Sequence, residues 1–132
     1  MKIRKHTYYS LPYSQENIDK FKSSENMLKH ARCNDDTFGW FFVNKKRDEL
    51  VGYVGCENDV VIALEVMPDY EGRGYASRLL RLAQGRGAVK LSVDKDNTHA
   101  IEVYKHLGYK EYDSDDKMLY MEIKKKEERP SV

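Results

Sequence analysis

The sequence predicts an α/β (α+β) fold, a mixed and mostly antiparallel twisted sheet of six to seven strands flanked by about four helices. Three strand-like segments joined by polar turns predict an antiparallel meander between residues 37 and 66. The strand, helix, strand pattern that follows predicts a crossover connection. Two further strand-like segments close the chain. Together these patterns favour one mixed sheet with helices on its faces.

The first half of the chain predicts a strand, one or two short helices and the meander. Residues 8–12 end an opening extended segment. Ser14 followed by Glu16 is typical of a helix start, so one or two helices are expected over about residues 14–31. The strand-forming residues of the meander fall at 37–43, 50–54 and 60–66.

The second half predicts two helices, each with a start signal and a glycine at its end. A turn containing Gly72 and Gly74 leads into an apolar stripe, and residues 85–87 end that helix. Asn97 can cap the next helix, and Gly108 stops it. The apolar stripe of that helix is Ala100, Ile101, Tyr104 and Leu107. The remaining predicted strands are residues 89–93, 109–112 and 118–123.

The composition predicts a single domain over residues 1–132, with a solvated or frayed tail at 124–132. The chain carries 23 basic and 22 acidic residues, a formal net charge of +1, which favours neither nucleic acid nor an anionic membrane as a partner. Cys33 and Cys56 have no CxxC spacing, which favours free thiols in a reducing cytoplasm. No segment approaches the ~20 apolar residues of a membrane span, so we expect a cytoplasmic protein.

The turn before the first of these two helices has the chemistry of an anion site. An apolar strand breaks at Pro68 and passes through the segment EGRGYA, residues 71–76, into the helix. Glycine and alanine leave room for a polyanion to reach the backbone N–H groups and the positive end of the helix dipole. One alternative is an unrelated phosphate or nucleotide binder, although the turn lacks the Lys-Ser/Thr of a P-loop and the third glycine of a dinucleotide motif.

Two motifs together resemble the GNAT superfamily of N-acetyltransferases, over about residues 37–112. The acetyl-CoA motif of that family has Gln or Arg, two residues, Gly, one residue and Gly or Ala. Residues 71–76 fill this frame, with Glu71 in place of the usual Gln or Arg. The next strand and helix of the family carry a second pattern, which this chain matches with Asn97, Ala100, Tyr104, Gly108 and Tyr109.

The resemblance implies acetyl-CoA as the cosubstrate and a primary amine as the acceptor. The strand end at Leu64, Glu65 and Val66 would pair with the pantetheine arm, and a strand N–H there would polarise the thioester carbonyl. Asn97 would reach the pantetheine, and it can also be a plain helix cap. The turn residues implied in cosubstrate binding are Glu71, Gly72, Arg73, Gly74, Tyr75, Ala76 and Ser77, with the pyrophosphate on backbone N–H groups.

The resemblance also implies direct attack of a neutral amine on the thioester, with Tyr104 contacting the cosubstrate as general acid. A tyrosine with a pKa of about 10 is protonated at neutral pH and can protonate the leaving CoA thiolate. The other role open to Tyr104 is packing on its helix. Glu65 is the best candidate base, because a carboxylate buried in an apolar strand is costly unless it has a purpose. If that face of the sheet is exposed, Glu65 needs no such role. The alternatives are Ser92, Glu57 and Asp59.

The sequence leaves the alternative function, the acceptor and the oligomeric state open. A catalytically silent acyl-CoA-binding or regulatory protein is the alternative to an enzyme. The acceptor is open among polyamine, amino acid, aminoglycoside and peptide amine, although acidic residues in the predicted turns would suit a cationic amine. Small members of the family often dimerise, so the resemblance allows a homodimer. No metal site is expected, because no HxxxH or carboxylate-flanked spacing occurs among His6, His30, His99 and His106.

Overall fold

A computed structural model describes residues 7–21 and 31–124. The strands are β1 (Tyr8–Pro12), β2 (Thr37–Asn44), β3 (Leu50–Glu57), β4 (Val60–Val66), β5 (Lys90–Asp94), β6 (Lys110–Ser114) and β7 (Met118–Glu122). The α-helices among these residues are α1 (Gln15–Phe21), α2 (Tyr75–Gly85) and α3 (Thr98–His106). The predicted order of elements is confirmed. A second short helix before residue 31, the tail beyond Lys124, and both His6 and His30 lie outside the described residues.

The seven described strands form one mixed sheet in the order β1-β2-β3-β4-β5-β7-β6. Strands β1 to β4 are antiparallel neighbours, and β5, β7 and β6 are a second antiparallel group. A parallel pairing between β4 and β5 joins the two groups, and α2 makes the crossover that such a pairing requires. The predicted mixed, mostly antiparallel sheet is therefore confirmed.

The sheet has a hydrophobic core on each face, because neighbouring residues of a strand point to opposite sides. On the α1 face, so called after the helix that covers it, Phe41 and Tyr53 pack with Ile18. On the α2 face, Phe42 packs with residues that include Leu79 of α2. Burying each such side chain stabilises the fold by ~1.5–3 kcal/mol, so both faces contribute to holding the sheet.

The helix starts follow the signals predicted for them. Ser14 Oγ accepts a hydrogen bond from the Asn17 N–H at 3.3 Å, and Asn97 Oδ1 accepts one from the Ala100 N–H at 3.1 Å. Both caps are therefore confirmed. Helix α2 differs, because it begins after Gly74 with no side-chain cap. In the described part of the chain, no helix has the length and apolar character needed to cross a bilayer.

Strands β4 and β5 separate soon after they begin. Their described ladder is limited to the pair Val60↔Lys90, which the Asp59 carbonyl supports by accepting from the Val89 and Lys90 N–H groups at 2.9 and 3.0 Å. On its other edge, strand β5 pairs along its length with β7, ending at Asp94↔Met118. The carboxyl ends of two neighbouring parallel strands are thus apart, which leaves a gap through the sheet where open α/β sheets place their ligands.

Candidate active site

A groove of about 620 Å³ occupies the gap between β4 and β5. Strand β5 lines it with side chains from both faces of the sheet. Leu91 and Val93 belong to the α2-face core, whereas Ser92 and Asp94 are exposed on the opposite, α1 face. The groove therefore gives one ligand access from the α2 face and another from the α1 face.

Asn97, the residue that caps α3, and Tyr104 of α3 line the groove, and the Tyr104 ring packs against the α2-face core. The cap at the start of α3 uses the carbonyl oxygen of Asn97, and the amide nitrogen is a separate donor. The Tyr104 ring packs edge-on against Tyr109, with ring centroids 5.8 Å apart. Burial raises the pKa of Tyr104 above its ordinary value of 10.0, and Tyr109 adds to the shift. The hydroxyl therefore keeps its proton at neutral pH.

The turn before α2 offers backbone N–H groups to open space. Gly72 and Gly74 have φ of 77° and 87°, a left-handed conformation that other residues rarely adopt. Apart from the residues adjacent in the chain, no heavy atom of the described residues lies within 4 Å of the position that a Cβ would take at either glycine. The N–H groups of Tyr75, Ala76 and Ser77, in the first turn of α2, have no acceptor within the helix. This arrangement suits an anion such as a pyrophosphate.

The side chains of the turn have different surroundings. The Arg73 guanidinium lies 5.7 Å from the ring centroid of Tyr70. Tyr75 packs edge-on against the same Tyr70 ring at 6.2 Å. Glu71 is exposed to solvent, and its N–H donates to the Pro68 carbonyl at 3.3 Å. The residue that departs from the family motif is therefore a solvated carboxylate beside the predicted pyrophosphate site.

Strand β4 carries a bulge that its apolar sequence does not predict. Gly55↔Ala63 and Cys56↔Val61 are paired across β3 and β4, so Ile62 has no partner on β3. A bulge turns the local backbone and often lies beside an active site. The one signal in the sequence is Gly55, because an isolated glycine inside a strand often marks a bulge.

The three residues at the end of β4 that are predicted to hold the pantetheine differ in their surroundings. Leu64 lines the groove, whereas Val66 packs against the α2-face core without lining it. Glu65 is paired with Tyr53 across the strands, and the Tyr53 hydroxyl donates to Glu65 Oε1 at 3.4 Å. Since Tyr53 belongs to the α1-face core, Glu65 and Tyr104 lie on opposite faces of the sheet. Glu65 is half-buried and is not part of the groove lining.

Two of the alternative bases are engaged in ion pairs. The Glu57 carboxylate accepts from Asn34 Nδ2 at 2.9 Å and pairs with Arg32 at 2.6 Å. The hydrogen bond from Asn34 has the largest effect on the pKa of Glu57, and that from Arg32 adds to it. Both hold the pKa below its ordinary value, so Glu57 is a weaker base. Asp59 lies 3.4 Å from the Lys90 ammonium. Ser92, the third alternative, lines the groove.

The chain is similar to acetyltransferases over most of its length. The model of the acetyltransferase (GNAT) family matches residues 5–109, which contain the separated strands, the glycine turn and α3. The chain therefore belongs to the GNAT family, as the two sequence motifs indicated.

A curated relative is the uncharacterized N-acetyltransferase MJ1207 of Methanocaldococcus jannaschii. It is 34% identical over an alignment of 88 positions, which covers 54% of this chain and 39% of the relative. The match thus spans less than half of that protein.

Solved structures share the fold at low sequence identity. Arabidopsis thaliana NAA60 in complex with a bisubstrate analogue has a TM-score of 0.69 at 16% identity, covering 87% of this chain and 96% of the other. The ribosomal-protein-S18-alanine N-acetyltransferase of Escherichia coli gives 0.65 at 16%, covering 88% and 92%. The PaiA N-acetyltransferase of Thermoplasma acidophilum in complex with coenzyme A gives 0.52 at 20%, covering 67% and 59%.

Proposed function

We propose that this protein is an acetyl-CoA-dependent N-acetyltransferase that transfers an acetyl group to a primary amine. The observation that carries the proposal is the gap between β4 and β5, lined by Asn97 and Tyr104, together with the start of α2, which has no side-chain cap and follows β4 in the chain. The names of the similar proteins support it, because they include N-acetyltransferases in complexes with coenzyme A or a bisubstrate analogue. We also propose a cytoplasmic location, which the free thiols of Cys33 and Cys56 support.

In this proposal the α2 face of the groove binds acetyl-CoA. The pyrophosphate accepts hydrogen bonds from N–H groups between Gly72 and Ser77, where the helix dipole also favours negative charge. The pantetheine arm pairs with the backbone of β4 at Leu64 and Val66, and with the amide of Asn97. The open space over the two glycines supports this assignment, because phosphate oxygens need to approach the backbone closely.

The reaction is a direct displacement at the thioester. The lone pair of the neutral amine attacks the carbonyl carbon, a C–N bond forms and the C–S bond breaks. A backbone N–H of β4 stabilises the negative charge on the carbonyl oxygen. Tyr104 donates its hydroxyl proton to the departing sulfur, and Glu65, directly or through a water, accepts the proton that the amine loses. Glu65 then releases its proton to solvent, and solvent returns a proton to Tyr104, which restores the starting state of both groups.

The placement of the two side chains on different faces supports this division of roles. Tyr104 lies on the α2 face, where the thiolate would leave, and Glu65 lies on the α1 face, from which the acceptor would approach. An acid and a base that serve opposite ends of the reacting centre do not exchange protons with each other. We therefore keep Glu65 as the proposed base, with Ser92 as the alternative base that lines the groove on the same face.

The proposal is tested by binding and transfer measured together. Calorimetric titration of the folded protein with acetyl-CoA is expected to give micromolar affinity. A panel of amines is expected to include one that releases CoA thiol and yields an acetylated product by mass spectrometry. Binding without transfer to any amine would favour the silent acyl-CoA-binding alternative, and no binding at all would contradict the proposed function.

Glu71→Gln is expected to bind acetyl-CoA about two- to threefold more tightly than the wild type. A carboxylate some 8 Å from a phosphate charge in a water-like environment costs roughly 0.5 kcal/mol. Removing it should lower the Kd measured by calorimetry, and the gain should shrink at high salt. Glu111→Gln, an equal charge change at an exposed position of β6, is the control and should leave the Kd unchanged. An unchanged or weaker Kd for Glu71→Gln would rule out this repulsion.

A further inference from the structure

We infer that Asp94 binds a positive charge of the acceptor, and that the acceptor is a di- or polyamine that carries no carboxylate. This inference rests on the proposed transferase function and names the substrate class of the same groove. It follows from the charges that line the α1-face side of the gap, opposite the proposed acetyl-CoA site.

The acceptor side of the groove is identified by strand alternation. Leu91 and Val93 of β5 are in the α2-face core, so Asp94 lies on the α1 face. Met118 lies directly opposite Asp94 on β7 and shares that face. Arg32 also lines the groove, and its backbone is hydrogen-bonded to the hydroxyl of Tyr13, a member of the α1-face core.

Arg32 and Asp94 are the two charged side chains among the described lining residues, and they differ in their partners. Arg32 is 2.6 Å from Glu57 Oε1, so a carboxylate outside the groove already balances its charge. Asp94 takes part in none of the ion pairs of the described residues. Its carboxylate accepts one long hydrogen bond, from the Asp96 N–H at 3.4 Å. The acceptor side of the lining thus carries a carboxylate that a ligand cation can neutralise.

A second carboxylate, that of Asp115, lies on the α1 face of the same strand pair. Tyr120 lies opposite Ser92 on β7 and therefore on the α1 face, and its hydroxyl donates to Asp115 Oδ2 at 2.7 Å. The hydrogen bond from Tyr120 is the largest cause that lowers the pKa of Asp115, and two backbone N–H groups add to the shift. This carboxylate therefore stays ionised near neutral pH. Lys90, the cation at the start of β5, is 3.4 Å from the Asp59 carboxylate. Lys95, which follows Asp94 in the chain, acts on Asp115 from nearby, so the carboxylate that remains for a ligand cation in the groove lining is that of Asp94.

The chemistry of transfer narrows the class of amine. The nitrogen that attacks the thioester must be neutral, so the charge held by Asp94 has to come from another nitrogen of the same molecule. A carboxylate on the acceptor would bring a second negative charge into the groove with Asp94, and the one arginine of the described lining is already paired with Glu57. An alkyl diamine or polyamine satisfies both conditions, whereas a free amino acid violates the second.

The test compares three acceptors of one chain length: 1,5-diaminopentane, pentylamine and lysine. For the wild type, we expect kcat/KM to be about tenfold or more higher with the diamine than with the other two acceptors. One charge-assisted hydrogen bond accounts for a difference of this size. Asp94→Asn should remove this preference by lowering kcat/KM for the diamine, with the Kd for acetyl-CoA unchanged by calorimetry. Asp36→Asn, an exposed carboxylate outside the groove, should keep the preference.

Two results would overturn the assignment while leaving the transferase function intact. One is a preference for peptides, amino acids or monoamines over the diamine in the wild type. The other is a diamine preference that survives in Asp94→Asn. Absence of acetyl-CoA binding or of transfer to any amine by the wild type would instead contradict the proposed function and this inference with it.

Discussion

Replacement of Tyr104 by phenylalanine is expected to lower kcat for acetyl transfer by about 100-fold, the lower end of what a positioned general acid contributes. The change removes one hydroxyl and keeps the ring that packs against Tyr109 at 5.8 Å. The Kd for acetyl-CoA, measured by calorimetry, should stay within about twofold of the wild type. A variant that keeps kcat within about twofold would show that Tyr104 only packs on α3.

The matched control for that variant is Tyr109→Phe. Tyr109 is the neighbouring buried tyrosine, and its hydroxyl accepts a hydrogen bond from Gln84 at 2.9 Å outside the groove. Losing that bond should lower the free energy of unfolding by ~1 kcal/mol without changing kcat. A loss of activity in both variants would indicate a general effect of packing.

The pH dependence of the rate gives a second readout for Tyr104. Burial raises the pKa of its hydroxyl above 10.0, because it disfavours the charged phenolate. The proton-donating form therefore persists to higher pH than for an exposed tyrosine. With a monoamine acceptor such as pentylamine, which has no second nitrogen to titrate, we expect kcat/KM to rise with pH as the amine becomes neutral, and to fall only above about pH 10 in the wild type. Tyr104→Phe should lack the falling limb.

Substitution of Gly74 by valine is expected to weaken acetyl-CoA binding by about 100-fold. A β-branched residue is strained at φ of 87°, so the turn would change conformation. Its side chain would also fill the space through which phosphate oxygens approach the N–H groups of α2. Losing one or two charge-assisted hydrogen bonds, each worth about 1.5–3 kcal/mol, accounts for this magnitude. The measurement is the Kd from calorimetry.

Gly85→Ala is the control for Gly74→Val, because both glycines belong to the α2 region and face open space. Gly85 is the last residue of the helix and is not among the glycines with positive φ. Alanine there should leave the Kd unchanged and, through its higher helix propensity, slightly raise the temperature of unfolding. Acetyl-CoA binding by Gly74→Val with wild-type affinity would exclude the turn as the pyrophosphate site.

Local signals in the sequence predicted much of the fold and the turn. The cap at Asn97 and the glycines before α2 act through atoms a few residues away, so the sequence alone contains the information. Strand ends were less accurate. Strand β6 runs to Ser114 rather than to Tyr112, because a register shift between Glu111 and Asp113 lets its pairing with β7 continue.

Features that depend on distant pairings could not be read from the sequence. The separation of β4 from β5 depends on how far the pairing between these two strands, joined through α2, extends along the sheet; Val60↔Lys90 is their pair among the described residues. The unpaired Ile62 depends on the register with β3. Asp94 was not predicted as a site residue, because its place in the groove depends on this sheet order. An alternating strand pattern identifies two faces without identifying the neighbour of either edge.

The most direct test of the proposed site is a crystal structure of the protein with coenzyme A. We expect the pyrophosphate within hydrogen-bonding distance of N–H groups between Gly72 and Ser77, the pantetheine between β4 and β5, and the thiol beside the Tyr104 hydroxyl. Coenzyme A bound elsewhere on the protein, with the gap between β4 and β5 empty, would contradict the assignment of this groove.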